Sequence, residues 1–572
     1  ATYCSIPRYW TANIEHFLDS HKQGLNKFCN KTDIIISLTL TSLSIRYLRA
    51  MKKFLIGLFI FFVLLGAAAL YLNTYLKNQL QEIIQNDLPE SLSLDYEDIT
   101  IDSWGGNASM AHATVRIKAN DSTPRSEVKN ASVQLKGLDH WDYFKNKNIH
   151  FKNIRIHADS LTHYKHSNNQ KEQNSKKKDS TTENPIQAQN LDRHFQIDKF
   201  DLVTDYIQII NPKTDSVTLK TAHFNLKLEN ITPTITAAIT RPFDYEEIFM
   251  SYDSLYYQTN RFDVLTVSHV EWDGTDLVMN DLRLKTQYSR SQLSNMIKKE
   301  RDHIDFSIKN IKFHNLRYGE ESGEFYLNTP LLELEKPYLN IYRDKRIADD
   351  LTKKPLYSKM LRDLNFEMMI DTIKIKNGGI VYHEKVNSNT AAGMLDFSNL
   401  NASLYNVGNT YNLGEKKTSI AIKAVFMKSS PMSLDWNFDI NDPQDKFYVK
   451  GSLSKLPVAN LESFTSPNLG VEMSGDLEHT YFTIYGDNYS SHIDMQMTYD
   501  EFKVNIMNQE KKKKKWFAST IANIFIAKTS KNEDGGFKEG AGEVNRNQTK
   551  SFFNYLWINL KEGMLKTVTA LD

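Results

Sequence analysis

From Leu92 onward the chain alternates apolar and polar residues, and this period of two persists for roughly four hundred residues. Val133-Gln-Leu135, Ile154-Arg-Ile156, Val217-Thr-Leu219, Phe224-Asn-Leu226-Lys-Leu228 and Tyr481-Phe-Thr-Ile484 carry it. A strand throws successive side chains to opposite faces, so such a chain folds into sheet with one apolar and one polar face. The fold class predicted is mainly β: an elongated, twisted, repeated β-groove, meaning an open sheet with one apolar face.

A short template recurs along these strands: apolar-x-x-apolar-x-apolar, with a polar pair in the gap. Copies start at Tyr96 (Ile99, Ile101), Phe151 (Ile154, Ile156), Ile197 (Phe200, Leu202), Ile308 (Ile311, Phe313) and Ile370 (Ile373, Ile375). Val264-Leu-Thr-Val267 begins the same way and fails at His269. The two-residue gap breaks strict alternation, and a β-bulge at each gap would restore one shared apolar face. Spacing between copies is irregular, which argues against a solenoid of fixed period. Ile154, Ile156, Phe200, Leu202, Ile311, Phe313, Ile373 and Ile375 are the candidate lining of the groove.

Ahead of the strands lies an uncharged run, FLIGLFIFFVLLGAAALYL (Phe54–Leu72), preceded by Lys52 and Lys53. It is long enough to cross a bilayer core of about 30 Å, and the flanking lysines mark the near side as cytoplasmic. We read residues 51–72 as an uncleaved anchor. The alternative is a signal peptide cut near Ala67-Ala68-Ala69; either reading exports the body. Residues 1–50 read as an upstream extension, with translation starting at Met51, or as a disordered leader. They hold both cysteines, Cys4 and Cys29. Residues 73–91 read as a short helical connection stopped by Pro89. The β-groove is expected over 92–166 and 191–529, separated by a polar linker at 167–190. Short helices are expected at Ser289–Glu300 and near 351–364. Residues 530–550 are Gly-rich and polar and read as a flexible linker.

The last segment, 551–572, reads as an amphipathic helix. Phe553, Leu556, Trp557, Leu560, Met564 and Val568 fall on one face, with Asn559, Glu562 and Lys566 opposite. Such a face suits a membrane interface or a partner's groove, so Phe553, Leu556, Trp557, Leu560 and Met564 are candidate docking residues. A helix packed on its own sheet is the alternative.

Chemistry-bearing motifs are missing from the sequence: it has no P-loop, G-x-G-x-x-G, G-x-S-x-G or H-E-x-x-H. His157, His163 and His166 lack a ligand spacing. Asp371, Glu384 and Asp396 read as solvated strand-edge charges. Trp104 and Trp436 read as core aromatics in strands. Seventy Lys and Arg balance sixty-nine Asp and Glu, which argues against nucleic acid as a partner. The expectation is a non-enzymatic protein with no cofactor and no metal. An apolar trough has another use: a two-chain lipid in water exposes about 30 methylenes at about 0.8 kcal/mol each, or roughly 25 kcal/mol. A continuous trough removes most of that barrier without a catalytic group. About 25 to 30 stacked strands would extend it to on the order of 120 to 140 Å.

The chain resembles the AsmA-like family of bacterial envelope proteins. The resemblance lies in the N-terminal run MKKFLIGLFIFFVLLGAAALYL and in KPLYSKMLR (354–362), IDTIKIKNGGIVYHE (370–384) and GMLDFSNLNASLYN (393–406). STIANIFI (519–526) and KSFFNYLWINLKEGMLKTV (550–568) complete it. It implies a single-pass inner-membrane protein whose body lies in the periplasm. Its β-groove would shield or conduct phospholipid toward the outer membrane and support outer-membrane integrity, with the outer membrane or an envelope protein as further partner. The alternative function is a scaffold or assembly factor for outer-membrane proteins.

Overall fold

The computed structural model describes residues 31–86, 88–89, 91–120, 123–146, 148–165, 195–233, 243–321, 323–411, 416–506 and 536–569. Two compact units divide at Gln79. In the first, the described residues all belong to helix α1 (Lys31–Asn86), whose last seven residues fall in the second. One stretch of it, Phe59–Asn86, is long and apolar enough to cross a membrane, and its side chains are unburied. The helix runs through position 73 without a break, so the expected separate connection is its last turns; it ends three residues before Pro89. It also extends back to Lys31, where a leader was expected; residues 1–30 of that leader lie outside the described residues.

The second unit is one large mixed sheet, with 23 strands among the described residues. Its strands add in chain order. β1 (Leu92–Asp95) and β2 (Asp98–Asp102) both pair with β3 (Asn107–Asn120), followed by β4 (Thr123–Leu138) and, after helix α2 (His140–Asn146), β5 (Ile149–Tyr164). Next come β6 (Phe195–Asn211), β7 (Ser216–Pro233), the two-residue β8 (Phe243–Asp244), β9 (Glu247–Gln258), β10 (Asp263–Trp272) and β11 (Leu277–Thr286). Helix α3 (Arg290–Met296), with a Ser289/Gln292 capping box, leads to β12 (Asp302–His314). β13 (Arg317–Glu321), β14 (Glu324–Glu335) and β15 (Tyr338–Asp344) follow, then helix α4 (Tyr357–Arg362) and β16 (Glu367–Lys385). β14 and β15 form one interrupted strand: both pair with β12 on one side and β16 on the other, broken at Lys336-Pro337. Proline has no N–H to give a ladder, so the break falls there.

The C-terminal part is antiparallel throughout: β17 (Gly393–Gly408), β18 (Thr418–Phe426), β19 (Ser430–Phe438), β20 (Phe447–Pro457), β21 (Val471–Gly486), β22 (Ser490–Ile506) and β23 (Lys538–Asn545). Helix α5 (Glu462–Leu469) precedes β21, and α6 (Phe552–Thr569) ends the fold. Parallel pairs need long returns, and the two places that have them are β5–β6 and β14/β15–β16. The expected polar linker falls in the first return, and α4 in the second; residues 167–190 themselves lie outside the described residues, as does 507–535.

Two expectations are corrected here. Residues 530–550 were read as a flexible linker, yet Lys538–Asn545 is a strand paired with β22. Its glycines serve packing: a Cβ on Gly540 would fall on the Thr567 amide of α6, and one on Gly542 would lie 2.6 Å from Glu562 Cγ. Among the described residues the strands number 23, against the 25 to 30 of the estimate, and collinear pieces such as β14 and β15 do not widen the sheet.

The five template gaps share one local structure, and it differs from an inserted bulge. Opposite each gap the partner strand holds a left-handed residue: His112 (φ 52°) beside Glu97, Gly137 (φ 69°) beside Lys152, Asn230 (φ 53°) beside Asp198, Asp281 (φ 51°) beside Lys309 and Asn406 (φ 55°) beside Asp371. Register is the same on both sides of each gap; for example, Asn280 pairs with Asn310 and Leu282 with Ile308. Both strands change the parity of their apolar residues at the same line. Met279, Leu282, Ile308 and Ile311 therefore pack in one cluster. Asn, Asp and His tolerate positive φ better than other non-glycine residues, which explains who occupies four of these five places.

Candidate functional site

Paired residues on neighbouring strands project from the same face of a sheet, so the register can be followed as a path across the strands. One such path is apolar at every step. It starts Ile99–Met110–Val133–Ile156–Leu202–Leu226–Met250–Trp272 across β2 to β10. It continues Leu277–Phe313–Leu332–Ile373–Leu404–Ile420 across β11 to β18, and then Trp436–Val449–Ile484–Ile493 to β22. At about 4.8 Å per strand its contour is on the order of 80 Å.

All eight candidate lining residues lie on apolar paths of this kind. Ile156, Leu202, Phe313 and Ile373 belong to the long one. Ile154 and Phe200 lie on a neighbouring path, Leu135–Ile154–Phe200–Leu228–Ile248. Ile311 and Ile375 lie on another, Met279–Ile311–Leu334–Ile375–Ala402. The structure thus places all eight at ladder positions on apolar paths, eight strand-to-strand steps apart at the extremes. Ile311 is buried; Ile154, Ile156, Phe200, Leu202, Phe313, Ile373 and Ile375 are half-buried.

Coverage changes along the long path. Val133 through Met250 are half-buried, and the helices described next to these strands, α2 and α3, are a turn or two long. At the other end α6 lies on β21, β22 and β23, and Val449, Ile484 and Ile493 are 0% exposed. Phe552 stacks on Trp436 with ring centroids 4.5 Å apart, and Tyr555 meets Phe447 edge-on at 5.7 Å. Burial of the Tyr555 phenol pushes its pKa up to about 12.

The face α6 buries differs from the face its hydrophobic pattern suggests. Phe552, Tyr555, Asn559, Gly563 and Thr567 are buried. Asn559 Oδ1 accepts from the Ser491 hydroxyl at 2.8 Å while its Nδ2 donates to the Tyr555 carbonyl at 2.9 Å. A Cβ on Gly563 would lie 2.9 Å from Ile493 Cδ1. Leu556, Leu560 and Met564, expected to be free for docking, pack against the same core. Phe553 and Trp557 remain 64% and 38% exposed. Asn559, expected on the solvent side, is at the centre of the contact because the pattern weighs apolarity and is blind to close approach by glycine and to paired amides.

Charged groups border the apolar face. Arg343 grips Asp302 with two hydrogen bonds of 2.7 and 2.6 Å, and Lys345 and Lys550 both contact Glu300. The Tyr382 hydroxyl donates to Glu384 at 2.8 Å; burial, then the adjacent carboxylate, raises the Tyr382 pKa. The Tyr411 hydroxyl donates to Asp371 at 3.1 Å. These carboxylates are therefore engaged in pairs, beyond the solvated edges expected for Asp371 and Glu384. His157 sits 3.9 Å from Asp205 and His163 bonds Ser126 at 3.0 Å, on opposite neighbours of β5; among the described residues no three His, Cys, Asp or Glu side chains form a metal-holding group. Trp436 is buried as expected, whereas Trp104 is a correction: it sits in the β2–β3 turn, exposed.

Comparison of the chain with models of known protein families and with curated proteins finds no match.

Proposed function

We propose that this protein is a membrane-anchored, non-enzymatic lipid carrier whose open apolar face forms a groove that shields phospholipid acyl chains. The observation that supports it is the apolar path from Ile99 to Ile493, half-buried through β4–β9 with no long helix over it among the described residues of that unit. A sheet face left half-open to water over so many strands is costly, and an acyl chain is a fitting occupant because it needs shape and apolarity and no specific polar partner. Helix α1 supports the anchor, since the membrane-length window within Phe59–Asn86 is unburied. The AsmA-like resemblance gives the same reading and supplies the compartments: inner membrane for α1, periplasm for the sheet, outer membrane as destination. The scaffold reading draws on one feature, the exposed Phe553 and Trp557 on the outer side of α6.

Two measurements test it together. Native mass spectrometry of the full chain should release bound phospholipid. A photoreactive amino acid at Ile156 or Ile373 should crosslink lipid, while the same probe at the neighbouring polar-face positions Arg155 or Lys374 should not. Crosslinking that ignores face, or no lipid at either face, removes the carrier reading; protein crosslinks at Phe553 and Trp557 without lipid would favour the scaffold.

A further inference from the structure

We infer that one end of the sheet, built from the β2–β3 turn and α2, is a contact surface for an anionic lipid bilayer. Trp104, Trp141 and Phe144 are 74%, 76% and 72% exposed. They belong to one place. The Leu138 amide donates to the Gly106 carbonyl at 2.9 Å, which ties the turn to the end of β4, and Asp139 caps α2 directly after it, accepting from the Trp141 and Asp142 amides at 2.9 and 3.0 Å. Neither tryptophan has a packing role, so a folded body of this size displays two indoles and a phenyl ring in water for a reason other than its core.

Charge selects the occupant. Two acids of this end are taken up in local hydrogen bonds. Asp102 accepts from the Gly105 amide at 2.9 Å and Asn107 Nδ2 at 3.0 Å; Asp142 accepts from Asn146 and Asn148, each at 2.6 Å. Those bonds hold both carboxyls below their ordinary pKa. Lys136, Lys145 and Lys152 are exposed, and none has an acidic partner among the described residues. Outward lysines around amphipathic rings match a bilayer interface: indoles settle at headgroup depth and ammonium groups meet phosphate. The chain supplies the tether as well. Only 17 residues separate Asn86, the last residue of α1, from Trp104, at most about 60 Å of extended chain. The tether rests on α1 as anchor; the patch does not rest on the sheet carrying lipid.

The test uses the full chain with Cys4→Ser and Cys29→Ser and one reporter cysteine, Phe144→Cys, labelled with an environment-sensitive dye. Tyr489→Cys, exposed in the β21–β22 turn, is the reference. Both are reconstituted into vesicles of phosphatidylcholine with or without phosphatidylglycerol and with nitroxide-labelled lipid, after flotation has verified membrane association. The dye at 144 should shift to the blue and be quenched severalfold more than at 489, more strongly with phosphatidylglycerol, and Trp104→Ala with Trp141→Ala should remove most of the difference. Equal quenching at 144 and 489 overturns the inference, as does shielding of 144 from aqueous iodide without nitroxide quenching, which would indicate a protein partner. Quenching independent of phosphatidylglycerol overturns the anionic preference. Lipid crosslinking at Ile373 should be unchanged in the double alanine variant, so failure here and failure of the carrier reading are separable.

Discussion

Ile156 and Ile484 occupy the same apolar path, each paired with apolar residues on both sides, yet Ile156 is half-buried and Ile484 is fully enclosed. Strand sequence does not separate them: Ile154-Arg-Ile156 and Phe482-Thr-Ile484 alternate alike. The difference is a second layer. Helix α6 lies over β21–β23 and brings Phe552 and Tyr555 down onto Trp436 and Phe447, turning half-buried ladder positions into a core. A sheet face alone buries one side of each side chain against its neighbours; a helix buries the rest. The protein therefore contains one region stabilised as an ordinary two-layer domain and another over whose apolar face no such helix lies among the described residues.

A charge placed on the path separates the two regions most strongly. Ile484→Asp puts a carboxylate where water cannot follow, at a cost of several kcal/mol, about 4 or more, and should release α6. Leu202→Asp, on the half-buried stretch, can turn its carboxylate to water and should cost only about 1 kcal/mol. Limited proteolysis of β23–α6 and the melting midpoint report this. Equal damage from both variants would mean that Leu202 is covered, and would remove the contrast on which the carrier reading depends.

The second layer itself depends on closeness. Gly540→Val inserts a branched side chain where the Thr567 backbone already sits, so α6 has to lift, with an expected loss of about 2 to 3 kcal/mol. The same change at Gly536, whose Cβ would meet nothing within 4 Å, should be nearly silent. Hydrogen exchange in α6 is the readout; protection unchanged in Gly540→Val would show that the helix is held by its aromatic end alone.

Sequence alternation was sufficient to find the strands and, through four of the five short phrases, eight positions that the register places on apolar paths. It could not show why those phrases work. The residues that reset the parity, His112, Gly137, Asn230, Asp281 and Asn406, lie on the partner strand, 15 to 35 residues away, and only pairing reveals them. The same limit produced the errors at the C-terminal end. Gly540 and Gly542 look like a linker until a helix lies on them, and Asn559 looks like a solvent residue until Ser491 meets it. Trp104 was read as a core residue because tryptophan usually is one; its exposure depends on a turn that composition does not mark.

Left-handed positions give a smaller, more local difference. Asn230→Val forces a β-branched residue to φ 53° and should cost about 1 to 2 kcal/mol, whereas Asn230→Gly should be neutral or slightly stabilising. Because Asn230 Nδ2 also bonds Glu246 at 2.6 Å, Asn230→Ala separates the two contributions: it loses the bond and keeps part of the strain. Should valine and glycine behave alike, the parity change would not depend on the left-handed residue.

The smallest effect is a pH dependence at the closed end. His492 on β22 stacks on the Tyr485 ring with centroids 5.0 Å apart; its Nδ1 lies 2.6 Å from Glu543 of β23 and its Nε2 3.0 Å from Asp494. The hydrogen bond to Glu543, then that to Asp494, raises the His492 pKa above its ordinary value. A histidine that binds its proton more tightly when folded stabilises the fold below its unfolded pKa, near 6.5, and loses that contribution as pH rises through the raised folded value. Both carboxylates are largely exposed, so solvent screens the pairs and the effect is confined to the β22–β23 pairing. Amide exchange in Lys538–Asn545, corrected for intrinsic rates, should therefore quicken between slightly acidic and slightly alkaline pH, and His492→Asn should flatten the curve. The half-buried stretch has its own histidine–carboxylate pair, His269 Nδ1 with Asp253 at 2.6 Å, where the hydrogen bond with His269 holds the Asp253 pKa down. Exchange in β9 and β10 gives the internal reference: if it follows the same curve as β23 in the native chain and in His492→Asn, the titrating group is shared by the whole sheet and does not belong to the closed end.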